Sequence, residues 1–301
     1  MALLQVKGRN KVAASNLSPY AQASIVYHDI FDYPLTEGQL IKWELGKASL
    51  RRRKITKQFV FKNGFYFISG HESLVFKRII RERNYFNKLN ITRKAGNILK
   101  IIPGVRGAFV TGALAMNNAD RAADVDLLIV AKKGQLWTSR LVTLLIFRLI
   151  GFPLRKAGYP DQKDELCLNM WLDESSLGWP KKKRNLFSAH EIAQITPIVN
   201  KGQIYERFLY SNRWLKRYWP NAVKIQNPKS EIRNKLEFSI FKHLNIVLDL
   251  VLRASNSIAF KLQYLYMRRK ITKEVVSASR AIFHPNDLEA IILTRFKSYF
   301  V

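Results

Sequence analysis

The chain has 301 residues, of which 48% are hydrophobic and 12% aromatic, which excludes a disordered protein and predicts about two or three folded domains. Its 51 Lys and Arg residues against 22 Asp and Glu give a formal charge of +29, which favours polyanionic partners, although a general basic bias of the source would produce the same excess. Cys167 is the single cysteine, so an internal disulfide is excluded and a reducing, cytoplasmic location is expected.

Residues 1–70 are interpreted as a winged helix-turn-helix-like domain. Helical periodicity over Pro19–Phe31, with Ser18 placed to cap it, predicts a first helix, and the stretch Thr36–Gln39 has the sequence of a capping box that opens a second. Asn63-Gly64 lies between two aromatic and β-branched runs, which is a strong signal for a two-residue hairpin. Helix, helix, basic segment and hairpin follow one another in the order of a winged helix.

The basic segment of this domain is the candidate nucleic-acid contact. A third helix is expected between Leu45 and Phe59. On this helix, contacts to DNA or RNA phosphates are assigned to four consecutive basic residues, Arg51, Arg52, Arg53 and Lys54. Many winged helices serve only as protein-docking modules, so a protein partner for this domain stays open.

The residue pattern over 71–100 predicts a basic helix that connects the first domain to the next. Apolar residues such as Leu74, Ile79 and Phe86 recur near helical spacing among many Lys and Arg residues. Pro103-Gly104 is expected to end the helix just before the next strand.

The most informative stretch comes next. Arg106–Met116 begins as a β-branched and aromatic strand that breaks at Gly112, and Ala123–Val130 is a second strand that carries Asp124 and Asp126. Side chains alternate along a strand, so the two carboxylates lie on the same face. Converging carboxylates are what a pair of Mg²⁺ ions requires to hold a triphosphate. Salt bridges to the many arginines of the chain are the simpler explanation of the same pair.

A small-residue turn accompanies the carboxylates. Gly112-Ala113 would let backbone amides approach phosphates without a side chain in the way. Together with Asp124 and Asp126, this turn resembles the hG[G/S] and DhD signature of the DNA polymerase β-like nucleotidyltransferase superfamily. The resemblance covers roughly residues 20–225, and this region is similar to a group of bacterial predicted nucleotidyltransferases with an N-terminal winged helix. It implies an α+β fold with a nucleotidyltransferase-type mixed sheet flanked by helices over residues 101–225, two Mg²⁺ ions and a nucleoside triphosphate such as ATP.

Two positions depart from the pattern of that superfamily. Many members carry Ser where this chain has Ala113, so the hydroxyl that touches a terminal phosphate is absent. Members also commonly place a third carboxylate on the next strand, which is expected here over Glu165–Asp173. The mid-strand position on the facing side is Asn169, which cannot act as an anionic ligand or base. Asp173 or Glu165 could take that place, and the choice between them stays open.

The rest of the chain is predicted to be mainly helical. The expected helices are Gly134–Gly151, Ser188–Ile198, Gly202–Leu215, Ile271–Ala281 and Asp287–Tyr299, and Glu231–Met267 is expected to form one long helix or two that break near Ser255. Residues 226–301 are accordingly taken as a C-terminal helical region. The stretches Leu136–Phe152 and Leu244–Met267 are interrupted by charges, so neither is expected to span a membrane. Cys167 is interpreted as a buried packing residue, and His190 as a packing or capping residue.

The leading hypothesis is a nucleotidyltransferase. It would transfer a nucleoside monophosphate from a nucleoside triphosphate to an acceptor hydroxyl, with Asp124 and Asp126 as catalytic and metal-binding residues and with phosphate contacts from Gly112 and Ala113. The charge and the winged helix favour nucleic acid as the acceptor. The alternative is a non-catalytic, nucleic-acid-binding regulator that retains the fold, which Ala113 and Asn169 favour. An antitoxin-like partner is a third possibility.

Overall fold

A computed structural model describes residues 12–13, 17–47, 55–155, 162–228, 242–269, 271, 274–283 and 288–300. The α-helices in these ranges are α1 (Pro19–Asp29), α2 (Glu37–Lys42), α3 (Ser73–Ile101), α4 (Gly112–Ala115), α5 (Leu136–Leu149), α6 (Leu186–Gln194), α7 (Ile204–Ser211), α8 (Lys242–Met267) and α9 (Leu288–Lys297). The strands are β1 (Val12–Ala13), β2 (Phe59–Lys62), β3 (Phe65–Ile68), β4 (Val105–Val110), β5 (Val125–Ala131), β6 (Leu166–Asp173), β7 (Thr196–Asn200), β8 (Val275–Val276) and β9 (Arg280–Ile282). Short 3-10 helices lie at Lys181–Lys183 and Arg213–Arg217.

The helix starts of the N-terminal region follow the sequence signals. The Ser18 hydroxyl accepts a hydrogen bond from the backbone N–H of Ala21 at 3.0 Å, which caps α1. Thr36 and Gln39 form the expected capping box, with side chain to backbone distances of 3.3 and 3.0 Å in the two directions. Both cap predictions are therefore confirmed.

The hairpin between β2 and β3 is also confirmed. Asn63 and Gly64 both have positive φ, at 53° and 83°, as the tight turn of an antiparallel pair requires. The expected third helix lies largely outside the described residues, and so do Arg51, Arg52, Arg53 and Lys54. The winged helix and its nucleic-acid contact therefore stay predictions.

The centre of the molecule is a six-stranded mixed sheet with the strand order β7-β4-β5-β6-β9-β8. β5 and β6 are parallel, and the other neighbouring pairs are antiparallel. Helices cover both faces of the sheet. The expectation of an α+β protein with a mixed sheet flanked by helices is therefore confirmed. The end of β4 and the starts of β5 and β6 meet at one edge of the sheet.

Alternation along the central strands separates two cores. Phe109 and Leu128 face a core shared with α1, α2, α6, α7 and α9. Ala108 and Ile129 face the opposite core, which contains residues of α3, α5 and α8. Since the apolar residues on both faces are covered, the strands carry almost continuous hydrophobic runs.

One expected helix is partly wrong at its C-terminal end. The stretch Ser188–Ile198 was expected to be helical throughout, but α6 ends at Gln194 and Thr196–Asn200 forms β7. β7 pairs with β4 at an edge of the sheet. Pro197 has no N–H group and is tolerated on an edge strand, whereas it would interrupt a helix interior.

The predicted helix over Ile271–Ala281 is wrong. Its described part forms β8 and β9, and β9 extends the sheet by pairing with β6. The hairpin turn is held by Ser277, whose backbone N–H donates to the carbonyl of Arg280 at 2.8 Å. The C-terminal region therefore contributes two strands as well as α8 and α9. No helix in the ranges given above is long and apolar enough to cross a bilayer.

Candidate functional site

The candidate site lies where β4, β5 and β6 meet. Asp124 and Asp126 flank the first residue of β5, and the backbone N–H of Thr111, just after β4, donates to the carbonyl of Asp126 at 3.0 Å. In the parallel pair, Asp126 is in register with Cys167 of β6. Strand alternation therefore brings these side chains to one face at one edge of the sheet.

Three side chains form a compact cluster. Ligand atoms of Asp124, Asp126 and Cys167 all lie within 4.8 Å of one another. The expectation that the two aspartates converge is thus confirmed. Cys167 was expected to be only a packing residue; it is buried, but its sulfur also faces the carboxylates.

Gly112 closes one side of this cluster. Its φ is +62°, and a Cβ at this position would lie 3.2 Å from Oδ2 of Asp126. That separation is shorter than an ordinary van der Waals contact, so both the backbone angle and the space favour glycine. The neighbouring Ala113 is exposed. The sequence-predicted turn is therefore placed directly against a carboxylate.

Arg155 pairs with the cluster, although it was not among the residues expected there. Its guanidinium donates to Oδ2 of Asp124 at 2.9 Å and contacts the sulfur of Cys167 at 3.4 Å. The Asp124 side chain is 16% exposed and the Arg155 side chain 38%, so the pair is partly shielded from water. Arg155 is 31 positions away from Asp124, and no local pattern distinguishes it from the other arginines.

Asn169 contacts the second carboxylate. Its Nδ2 donates to Oδ1 of Asp126 at 3.1 Å, while its own Oδ1 is buried without a hydrogen-bond partner. An irregularity in the β5–β6 register between Asp126 and Leu128 lets both Cys167 and Asn169 reach Asp126. Burying an oxygen without a hydrogen-bond donor costs folding free energy. The Oδ1 atom of Asn169 is therefore a further oxygen ligand available next to Asp124 and Asp126.

Asp173 does not reach the site. It is in register with Ala131, five residues further along β5 than Asp126, which corresponds to about 17 Å along the strand. Its carboxylate instead accepts from the backbone N–H groups of Gly134 at 2.6 Å and Ser175 at 2.8 Å. The proposal that Asp173 supplies a third carboxylate therefore fails because the residue lies at the far end of β6.

Glu165, the other open choice, lies at the near end of β6. Its backbone carbonyl accepts from the N–H of Val125 at 2.9 Å, and its Oε2 is buried without a partner. Its carboxylate is not a member of the cluster formed by Asp124, Asp126 and Cys167. Among the groups that the structure describes there, the anionic donors are the two aspartates.

The electrostatics of the pair follow from its burial. Desolvation, reinforced by the Asp124 charge, raises the pKa of Asp126 to about 6, against the opposing effects of Cys167 and Arg155. Desolvation, reinforced by the Asp126 charge, also raises the pKa of the Cys167 thiol. The thiol therefore stays protonated at neutral pH. Asp126 is mainly ionised there, and the positive charge of Arg155 does not fully offset its desolvation and its repulsion by Asp124.

These donors fit an oxygen-preferring divalent cation. Two carboxylates and the unpartnered oxygen of Asn169 are hard ligands, and a neutral thiol adds no charge that would select a softer metal. A bound cation would also supply positive charge next to the partly buried carboxylate of Asp126. Asp124 and Asp126 would hold it.

His190 lies in the core that contains Phe109 and Leu128, on the same side of the sheet as Asp126. Its ring packs on Trp43 with centroids 4.4 Å apart, and its Nε2 lies 3.3 Å from Nε2 of His28. Since Nδ1 of His28 faces the carbonyl of Ser24 at 2.8 Å and must donate to it, Nε2 of His28 accepts the proton of His190. The interpretation of His190 as a packing residue is confirmed.

Comparisons of the chain with known protein families, with curated proteins and with solved structures return no match.

Proposed function

We propose that the protein is a nucleotidyltransferase. An acceptor hydroxyl would attack the α-phosphorus of a nucleoside triphosphate, forming one P–O bond while the bond to the pyrophosphate leaving group breaks. Divalent cations, when bound, would polarise the phosphoryl group and neutralise the leaving group. The observation that supports the proposal is the closeness of the Gly112 turn to Asp126, because a backbone turn without a side chain then lies beside a carboxylate that could hold a metal ion.

The chain's own residues have separate roles in this proposal. Asp124 and Asp126 hold the cations, and the amides of Gly112 and Ala113 orient the phosphates. Arg155 is positioned to exchange its contact with Asp124 for one with a phosphate oxygen. With Asn169 and a neutral Cys167 in place of a third carboxylate, no further anion of the cluster takes the proton of the acceptor hydroxyl. The reaction is therefore expected to be slow and to need a readily ionised acceptor.

The test is divalent-dependent transfer of label from α-³²P-labelled nucleoside triphosphates. Each of the four would be incubated with Mg²⁺ and with total RNA or total protein as acceptor, and released pyrophosphate would be measured in parallel. We expect labelled acceptor with the native chain and only background with the double variant Asp124→Asn and Asp126→Asn. Equal label with both proteins, or none with either under all acceptors, would contradict the proposal.

Replacing Arg155 with glutamine is expected to have opposite effects on the two ligands. Removing the guanidinium that pairs with Asp124 should tighten Mn²⁺ binding by up to about fivefold, since partly exposed ion pairs contribute no more than about 1 kcal/mol. Losing a charged donor to phosphate should weaken triphosphate binding by about tenfold or more. Calorimetric titrations of Mn²⁺ and of a non-hydrolysable triphosphate measure both. The exposed Arg148→Gln is the matched control, and parallel changes in both affinities would exclude this role.

The ion pair between Arg155 and Asp124 also favours the alternative function, a non-catalytic regulator that binds nucleic acid. A carboxylate pair that never binds a cation would use an arginine to neutralise it, as Arg155 does with Asp124. A non-catalytic regulator that retains the fold would then bind nucleic acid without binding Mn²⁺. Nucleic-acid binding by a chain that neither transfers label nor binds Mn²⁺ at millimolar concentration would establish this alternative.

A further inference from the structure

Within the ranges that the structure describes, helix α8 is covered by protein on one side. That side is fixed to α5: Asn256 accepts from the backbone N–H of Trp137 at 2.8 Å, and Gln263 donates to the carbonyl of Trp137 at 2.8 Å. Leu252 and Ala259 are buried at the same contact. Polar and apolar contacts together therefore fix the orientation of α8 about its own axis.

The opposite side of α8 is apolar and exposed. Residues at helical spacing along it, each 53–63% exposed, are Val247, Val251, Ile258, Leu262 and Leu265. Leu250 and Tyr266 extend the same surface, at 58% and 75% exposed. A helix that is apolar on both sides is normally covered on both, so this continuous face indicates a partner.

The charges beside this face have one sign. From Ile246 to the end of the described helical segment, the exposed charged residues are all cations: Arg253, Lys261, Arg268 and Arg269. The acidic residue of this stretch, Asp249, is only partly exposed and is engaged by Lys132, Gln135 and Arg253, the last at 3.9 Å. The apolar face is thus bordered by positive charge in a chain whose formal charge is already +29.

We propose that this face of α8 binds an anionic membrane surface. Apolar side chains flanked by Lys and Arg, with a tyrosine near the edge, match a helix lying in the interface between lipid headgroups and acyl chains. Since the other side of α8 stays attached to α5, the helix would lie flat on the lipid. A second copy of the chain is a poorer occupant, because two such faces would bring cations together without carboxylates between them.

The test is co-sedimentation of the full chain with vesicles. Binding is expected to vesicles containing one-third phosphatidylglycerol and to be much weaker with pure phosphatidylcholine. Replacing both Ile258 and Leu262 with serine should reduce binding to the anionic vesicles at least about tenfold, because apolar insertion is lost. The control is Ile41→Ser on α2, which alters a similarly exposed side chain (62%) away from α8 and should leave binding unchanged.

A second pair of substitutions separates charge from insertion. Arg253→Gln with Lys261→Gln should weaken binding about 25-fold, since each cation near an anionic surface contributes roughly a factor of five. Vesicle binding that is unaffected by the serine variant would show adsorption by general charge alone and would overturn the proposal. So would absence of vesicle binding together with a dimer, seen by sedimentation velocity, that the serine variant dissociates.

Discussion

Replacing Asp126 with asparagine is expected to abolish transfer while making the metal-free protein more stable. Removing a carboxylate that holds a catalytic cation should reduce transfer at least about a thousandfold, which corresponds to about 4 kcal/mol of transition-state stabilisation. In the absence of a cation, however, the native Asp126 is a partly buried, desolvated charge next to Asp124. Asparagine keeps the shape and removes that charge.

The pH dependence of this stabilisation follows from the raised pKa of Asp126. The folded pKa of about 6 exceeds the unfolded value of 3.8, so the folded state binds the proton more tightly between these values. The native chain therefore loses stability as pH rises through this window, by up to about 3 kcal/mol above pH 6. Asp126→Asn should be more stable than the native chain at pH 8 in EDTA, and this advantage should vanish near pH 4.

The matched variant is Asp124→Asn. Asp124 is neutralised by Arg155, so its replacement should also abolish transfer but should not stabilise the metal-free protein in the same way. Urea unfolding of the three proteins at pH 8 and pH 4 measures the difference. If Asp126→Asn and Asp124→Asn had the same effect on the free energy of unfolding at pH 8, unbalanced burial of Asp126 would be excluded.

The parts of the site that could be predicted are those written in local sequence. Alternation along a strand places Asp124 and Asp126 together whatever the rest of the fold does, and a glycine turn after a strand leaves room beside them. The capping signals at Ser18 and Thr36 were equally local, and the structure confirms both. Each of these features depends on neighbours within a few residues.

The parts that could not be predicted depend on the packing of distant segments. Arg155 reaches Asp124 only because its own segment pairs with the start of β6, where the N–H of Arg155 donates to the carbonyl of Leu166 at 3.0 Å. Alternation did predict that Asn169 faces the carboxylates, and its contact with Asp126 confirms this, but the irregularity in the β5–β6 register after Asp126 has no signal in the local sequence. The β8–β9 hairpin has helix-compatible composition, and its pairing with β6 decides its conformation.

The core that α1 and α6 share with Phe109 and Leu128 is expected to make the protein sensitive to mild acid. His28 and His190 are buried against each other among aromatic rings, with His190 only 3% exposed. Desolvation lowers the pKa of His190 to about 3, and desolvation followed by the proximity of His190 lowers that of His28. Both rings therefore stay neutral in the folded protein at a pH where an unfolded chain would protonate them.

The direction of the effect follows from these lowered pKa values. Between about pH 3 and the unfolded value of 6.5, the unfolded chain binds a proton that the folded His190 does not, so stability falls as pH falls through this window. The loss attributable to His190 should reach about 2 kcal/mol at pH 5 and up to about 5 kcal/mol near pH 3. The difference between the native chain and variants without a titrating group at position 190, in urea unfolding at pH 7.5 and pH 5, measures the first of these values.

Two substitutions at the same position distinguish proton binding from packing. His190→Gln keeps an N–H donor for His28, whereas His190→Phe keeps an aromatic ring against Trp43, and neither side chain titrates. Both variants should lose about 2 kcal/mol less than the native chain between pH 7.5 and pH 5, whatever their stability at pH 7.5. If both retained the native dependence, the acid sensitivity would arise elsewhere. If only one variant kept the native pH dependence of stability, its new side chain would have changed the packing around His28. The lowered pKa of His28 would then account for the pH dependence that remains in that variant.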